Sequence, residues 1–323
     1  MNQQKVSHNT PELSILVPVF NEEGNIEKLF FEVRKIIVDE LNTSFEMIFI
    51  DDGSIDKSWA SINCLADDNQ EVRGLRFSRN FGHQYAIKAG MDVALGKAVI
   101  SMDADLQHPP YLIKQLFDEW KRGYDLVFAK RTNTKGINFL KKYSASLFYA
   151  FISRISDVKL EDGVSDFRLI DRKVVDELNK MNEYFLFYRG LTQWTGFKTK
   201  YINYVAEIRF SGKTKYSIKK MINLAINGIM SFSVKPLRIA TISGILVSLF
   251  SFIYIVYALL AKFILHIALP GWTSILISVL FLGGIQLFTI GILGEYIGKI
   301  FIEIKQRPKY IIREKRESIL PKD

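Results

Sequence analysis

The stretch SMDADLQHPP, residues 101–110, sets Asp103 and Asp105 either side of one alanine, after a short apolar run and before two prolines. A second acidic pair, Asp51 and Asp52, ends the apolar run FEMIFI at 45–50. Carboxylates repel phosphate, so a cluster of them that serves a nucleoside diphosphate needs a divalent cation in between. Hard cations such as Mg²⁺ bind through one or two carboxylates plus substrate phosphates. This chemistry predicts that Asp105, with the amide oxygen of Gln107, holds the metal, that Asp103 contacts the sugar side or the metal's waters, and that Asp51 hydrogen-bonds the nucleoside. Plain structural roles exist too: Asp51 or Asp56 can cap a helix, and Pro109 and Pro110 can start one. Capping alone does not explain acidic pairs at two neighbouring strand ends.

The elements that would carry these residues alternate regularly. Strand-length apolar runs at 13–19, 45–50, 72–78, 97–103 and 124–130 are separated by segments of helical period. The alternation predicts an α/β domain with a mostly parallel, Rossmann-like sheet. Ligands of such sheets bind outside the carboxyl ends of the strands, where all four aspartates fall. Other nucleotide folds do not fit: no Gly-x-Gly-x-x-Gly follows the first run, and GKT at 212–214 has Glu207 where a phosphate-binding loop needs glycine. His83 and His108 are too few and too isolated in the sequence for a zinc site.

The chain of 323 residues is 48% hydrophobic, which fits a folded protein of one large domain or two. Its lone cysteine, Cys64, excludes an internal disulfide and reads as a buried thiol on a helix. The net charge of +9 is unevenly placed. Residues 1–208 hold 27 Lys and Arg against 29 Asp and Glu, whereas residues 209–323 hold 16 against 5. That basic third also contains two uncharged runs, 239–261 and 271–294, each long enough to cross a hydrocarbon core of about 30 Å as a helix. Lys219, Lys220, Lys235 and Arg238 precede the first, and Lys299, Lys305, Arg307, Lys309, Arg313, Lys315 and Arg316 follow the second. The positive-inside rule then places both ends in the cytoplasm, and the absence of an opening signal-peptide pattern keeps the α/β part there. The basic flanks read as anchors on anionic lipid, not as a nucleic-acid surface. Between the two parts, residues 216–233 have the spacing of an amphipathic helix lying in the membrane interface. The expected organisation is an α/β domain at 1–208, a basic loop and interface helix at 209–238, two transmembrane helices at 239–298 and a basic tail at 299–323.

Five segments in this order, SILVPVFNEEGNI, FIDDGSIDKS, ISMDADLQHPP, SDFRLIDRKV and RFSGKTKYSI, followed by two spans, resemble the polyisoprenyl-phosphate glycosyltransferases of glycosyltransferase family 2. That group includes bactoprenol glucosyltransferases and dolichol-phosphate mannose synthases. The resemblance covers about residues 12–310 and implies a GT-A fold that inverts the anomeric centre of a nucleotide-sugar while passing the sugar to a lipid phosphate. By the same resemblance, Asp51 and Asp52 match the nucleoside motif. Asp103, Asp105 and Gln107 match the metal and donor motif, with Mg²⁺ or Mn²⁺ as cofactor, and Asp166 matches the acceptor-side aspartate. Arg131, Arg209 and Lys215 match positions implied to bind the acceptor phosphate. Two positions depart, Thr214 for a common serine and Ser165 for a frequent glycine, and neither removes a charge. UDP-glucose and undecaprenyl phosphate are the favoured substrates, with mannose, galactose, an amino sugar or GDP left open. A homo-oligomer, a tetramer among the options, is implied as well. A non-catalytic nucleotide-sugar sensor or scaffold is the alternative from another class. A processive polymerase would carry Gln-x-x-Arg-Trp, which TQWTG at 192–196 does not supply.

Overall fold

A computed structural model describes residues 10–132, 163–205, 233–264 and 271–317. Its packing separates an α/β unit, which includes residues 307–317, from a unit built on two long helices.

The α/β unit is organised by one eight-stranded sheet. In chain order its strands are β1 (Leu13–Val19), β2 (Phe45–Asp51), β3 (Val72–Phe77), β4 (Ala98–Ser101), β5 (Leu126–Arg131), β6 (Val164–Asp171), β7 (Thr199–Tyr204) and β8 (Ile312–Arg316). Their spatial order is β7-β5-β6-β4-β1-β2-β3-β8. Strands β4, β1, β2 and β3 are mutually parallel and β5 is parallel to β7, while β6 runs antiparallel between β4 and β5 and β8 runs antiparallel on β3. The sheet is therefore mixed, its parallel heart at β4-β1-β2-β3 closed by reversed strands. In β1, LSILVPV is buried at every position, as a strand covered on both faces must be. Leu13, Ile15, Val17 and Val19 join the core beneath α1 (Ile26–Lys35), α2 (Ser58–Asp68) and α4 (Leu112–Lys121). Leu16 turns to the opposite layer, where Gly90 of α3 (His83–Val93) lets the helix backbone come close to it and to Ile50. The helices follow their sequence periods: α1 buries Ile26, Leu29, Phe30 and Val33, the three-four spacing of an amphipathic helix.

Cys64 lies on α2 as expected, but it is exposed, because the buried face of that helix is set by Trp59, Ile62, Leu65 and Ala66. The fourth strand also ends earlier than the apolar run 97–103 indicates. The Asp103 N–H turns away from the sheet to donate to His108 Nδ1 at 3.0 Å, so Asp103 and Asp105 lie in the loop beyond β4. Arg131, expected just after its strand, is the last residue of β5. Residues 299–323, which read as a tail, carry β8 and with it an edge of the sheet.

The second unit contains α7 (Lys235–Phe263, 29 residues) and α8 (Trp272–Ile304, 33 residues), which pack on one another. Both are long and apolar enough to cross a membrane, and they expose Phe250, Ile253, Leu287, Phe288 and Ile297. The Tyr296 hydroxyl donates to the Ser233 carbonyl at 2.7 Å, joining one end of each segment. Residues 216–232 of the expected interface helix lie outside the described residues.

At the amino-terminal rim of the sheet a buried carboxylate fastens three strands. Glu46 accepts from the Ser14 hydroxyl, from Arg73 Nη1 and from the Leu95 N–H, each at 2.6 Å, and Ser14 Oγ accepts from the Gly96 N–H at 2.7 Å. Removing this acceptor strands several donors at once, so Glu46→Ala should cost about 2–4 kcal/mol of stability in denaturant unfolding of the purified chain, while Glu46→Gln should cost about half that.

Candidate active site

The opposite rim holds the acidic residues picked out above. Loops after β1 and β2 interlock there: the Asn21 N–H donates to Ser54 Oγ at 3.0 Å and the Ile55 N–H to Asn21 Oδ1 at 3.0 Å. The Glu22 N–H donates to Ser58 Oγ at 3.0 Å, and the Glu23 N–H to Asp56 Oδ2 at 3.2 Å. Asp56 thus ties two loops together. Gly53 makes the turn possible, since its φ is +74° and a Cβ there would lie 2.5 Å from the Arg79 carbonyl carbon.

Asp51 closes β2 and is fully buried. Its Oδ1 accepts from the Ser54 N–H at 2.8 Å, whereas Oδ2 is buried with no hydrogen-bond partner among the described residues. Arg76 Nε stands 3.3 Å from that oxygen, but not at a hydrogen-bonding angle. Asp52 is placed differently. Its carboxylate accepts from the N–H groups of Phe81 (2.7 Å) and Gly82 (2.9 Å), fastening the loop into α3, and burial raises its pKa despite those bonds. Asp51 therefore offers an open acceptor and Asp52 a loop clasp.

Beyond β4, Asp105 Oδ1 accepts from the Gln107 N–H at 3.1 Å around Leu106, a bulky residue with φ of +59°. Such a backbone is costly for leucine and occurs where a loop is shaped for a purpose. Asp103 keeps a side chain 39% exposed at the rim, between two imidazoles. His83 Nε2 is 3.7 Å from its Oδ1 and His108 Nε2 is 3.6 Å from its Oδ2. His108 is buried and stacked on Phe167 at 5.0 Å. Among the described residues no three His, Cys, Asp or Glu side chains form a metal cage. Two carboxylates on one loop instead match the donor set of a hard cation whose other ligands are water and substrate phosphate.

Asp166 reaches this rim because β6 is antiparallel. Arg168 pairs with Ser101, so the residue two before it projects past the end of β4 toward Asp103, and the Ser101 hydroxyl fixes it by donating to the Asp166 carbonyl at 2.5 Å. The carboxylate gathers cations from three elements. Arg168 Nη2 donates to Oδ1 at 2.8 Å, and Arg189 of α6 (Tyr188–Trp194), the helix after α5 (Arg172–Lys180), donates to Oδ1 at 3.3 Å and Oδ2 at 3.1 Å. His83 Nε2 lies 3.5 Å from Oδ2. Burial alone would raise the Asp166 pKa, but Arg189, His83 and Arg168 outweigh it and hold the carboxyl well below its usual range. Burial opposes the charge on His83 as well, and its two carboxylate neighbours still raise its pKa.

Arg168 is fully buried with Nε and Nη1 unpartnered among the described residues, and Arg131 Nε at the end of β5 is in the same state. The N–H of Arg131 donates to the Gly163 carbonyl at 2.8 Å, which brings the start of β6 beside it. Arg209 and Lys215 lie outside the described residues. The structure thus brings Asp103, Asp105, Asp166 and Asp51 to one rim, adds Arg131, and commits Asp52 to the loop. It also recruits His83 and Arg189, which no motif marked out, together with Arg168 and His108, which lie inside the segments SDFRLIDRKV and ISMDADLQHPP but had no role assigned there; their arrival from α3, α6, β6 and the β4 loop reveals what they do.

Because the folded-state pKa of Asp166 is depressed, its stabilisation is complete above the unfolded value near pH 4 and is lost as pH falls through the folded value. Asp166→Asn should therefore be destabilised by about 2–4 kcal/mol at pH 7 and by at least as much at pH 5, where the raised pKa of His83 contributes fully, with the gap to wild type narrowing only below roughly pH 4 in thermal unfolding.

Known proteins resemble this chain over nearly its whole length. Residues 14–178 match the glycosyl transferase family 2 model, and residues 235–300 match the GtrB C-terminal hairpin. The chain is 45% identical over 303 residues to the prophage bactoprenol glucosyl transferase homolog of Escherichia coli, covering 94% of this chain and 98% of that one. It is 40% identical over 305 residues to an uncharacterized glycosyltransferase of Synechocystis, covering 94% and 96%. Among solved structures, Staphylococcus aureus TarS 1–349 in complex with UDP-GlcNAc aligns with a TM-score of 0.48 at 13% identity, over 68% of this chain and 66% of that one. With the family model covering strands β1 to β6 and the acidic rim, and relatives matching nearly end to end, this chain belongs to glycosyl transferase family 2.

Proposed function

We propose that the protein is an inverting glucosyltransferase that passes glucose from UDP-glucose to a polyisoprenyl phosphate at the cytoplasmic face of the plasma membrane. The observation that carries this reading is the meeting, on one rim, of the Asp103–Asp105 loop with the Asp166 cluster of cations. A relative named a bactoprenol glucosyl transferase homolog, matched over 94% of this chain, supports the choice of sugar and lipid. The two long apolar helices support the membrane location.

In the transfer, an acceptor phosphate oxygen forms a bond to the anomeric carbon as the bond from that carbon to the diphosphate breaks, and the electron pair leaves with UDP. The second pKa of a phosphate monoester is about 6, so near neutral pH the attacking oxygen is already ionised and needs no base. Asp166 suits that requirement. A carboxylate held ionised by Arg189, His83 and Arg168 has little affinity for a proton, and its work is to aim Arg189 and His83 at the reacting phosphates. The principal cost is electrostatic, since two anions must meet. Each unlike charge pair at 4 Å recovers on the order of 4 kcal/mol before desolvation, at an effective dielectric of about 20. Arg131, whose buried Nε has no partner among the described residues, would share that task, and Arg209 and Lys215 would join it as the family resemblance implies. Asp105 and Gln107 would hold Mg²⁺ or Mn²⁺, which when bound would neutralise the leaving diphosphate. Asp51 Oδ2, the open acceptor at the end of β2, would take a hydrogen bond from the nucleoside.

The test is transfer by the purified full-length protein to undecaprenyl phosphate from a panel of radiolabelled nucleotide-sugars with Mg²⁺ or Mn²⁺. Lipid-extractable label from UDP-glucose is expected, lost on chelation and in Asp105→Ala. No labelled lipid from any donor, with nucleotide binding intact, would replace the enzyme with a sensor or scaffold. Asp166→Asn should lower kcat by on the order of 10²–10³-fold without moving the acid limb of the pH profile, which follows the acceptor near pH 6. A limb that shifts in this variant would make Asp166 the general base.

A further inference from the structure

Strand β8, which follows α8 in the chain, pairs with β3 so that Glu314 stands opposite Arg76. Two donors fix the Glu314 carboxylate: Arg76 Nη1 reaches Oε1 at 3.0 Å and the Trp59 indole N–H reaches Oε2 at 2.9 Å. Arg76 thereby lies between two carboxylates of different standing. Toward Glu314 it makes a proper hydrogen bond; toward Asp51 its Nε is 3.3 Å from Oδ2 but misaligned, and that oxygen remains an unpartnered buried acceptor.

The arrangement separates two jobs that one guanidinium would otherwise merge. Asp51 is buried, and Arg76 places a positive charge beside it at short range. A guanidinium that also aimed an N–H at Oδ2 would occupy the acceptor that the nucleoside needs. The bond to Glu314 instead draws Nη1 of that guanidinium toward β8. Released from Glu314, Arg76 has a buried carboxylate as its nearest alternative acceptor, and the bond it would close competes directly with ligand.

We propose that Glu314 is a positioning residue for the donor nucleotide, keeping Asp51 Oδ2 free of a protein hydrogen bond by holding the N–H groups of Arg76 out of line with it. The inference rests on the reading of Asp51 as a nucleoside ligand and adds that donor affinity depends on a residue of the last strand, far in sequence from every motif of the site. It predicts an effect on donor binding and not on the rate at saturation.

Equilibrium binding of UDP to the detergent-solubilised full-length protein tests it. Glu314→Gln should weaken binding roughly five- to tenfold, the scale of one hydrogen bond in competition, with kcat at saturating UDP-glucose unchanged. In an Arg76→Gln background the same substitution should have no further effect, because the competitor is gone. An unchanged UDP affinity in Glu314→Gln overturns the proposal by itself. So does a loss of affinity that persists undiminished with Arg76→Gln, which would mark a packing defect at the sheet edge. Failure of the wild-type protein to bind UDP would instead remove the nucleotide-site reading, and the proposal with it.

Discussion

The central strands are apolar on both faces, and that constraint dictates where the chemistry can lie. β1 has no face left for a polar ligand: one is covered by α1, α2 and α4 and the other by α3. Charged groups consequently collect at the two rims, where strands stop and backbone turns. The amino-terminal rim spends its buried carboxylate, Glu46, on structure. At the carboxyl-terminal rim Asp166 is also buried, yet it sits beside exposed partners, His83 and Asp103, so its charge can act on something that enters from solvent.

Reversal of β6 is what converts a Rossmann-like sheet into this particular site. A parallel strand in that position would deliver its carboxyl end to the rim and send Asp166 and Arg168 toward the other. Running antiparallel, it presents its first residues beside the end of β4, and the Ser101 to Arg168 register sets the depth of the carboxylate. Cations on α3, β6 and α6 then converge on a single point with no need for sequence proximity.

The same facts explain what could be read in the sequence. Doubly buried strands are near-continuous apolar runs, so β1, β2 and β4 are plain, and the acidic pairs at the end of β2 and beyond β4 announce the rim. β6 was visible as a motif and not as a strand because Asp166 and Arg168 are charged, and only pairing between them and Arg189 makes their burial tolerable. β8, IREKR, has the composition of a basic flank; its strand character comes from β3, whose outer edge needs covering. Asp51 and Asp52 are chemically identical neighbours, and nothing in the sequence distinguishes the open acceptor from the clasp; that difference is set by Phe81 and Gly82, thirty residues on.

At 1.5 Å per residue, the 33 residues of α8 make a rod about 50 Å long, against a hydrocarbon core of about 30 Å. Its apolar stretch ends before Glu295, and the last turns carry Glu295, Lys299 and Glu303 at four-residue intervals. Such a helix has length in reserve. Were it to span the bilayer as proposed, it could meet a thinner or thicker one by changing its tilt while its charged turns stayed in water, and the hairpin would not be matched to one lipid composition.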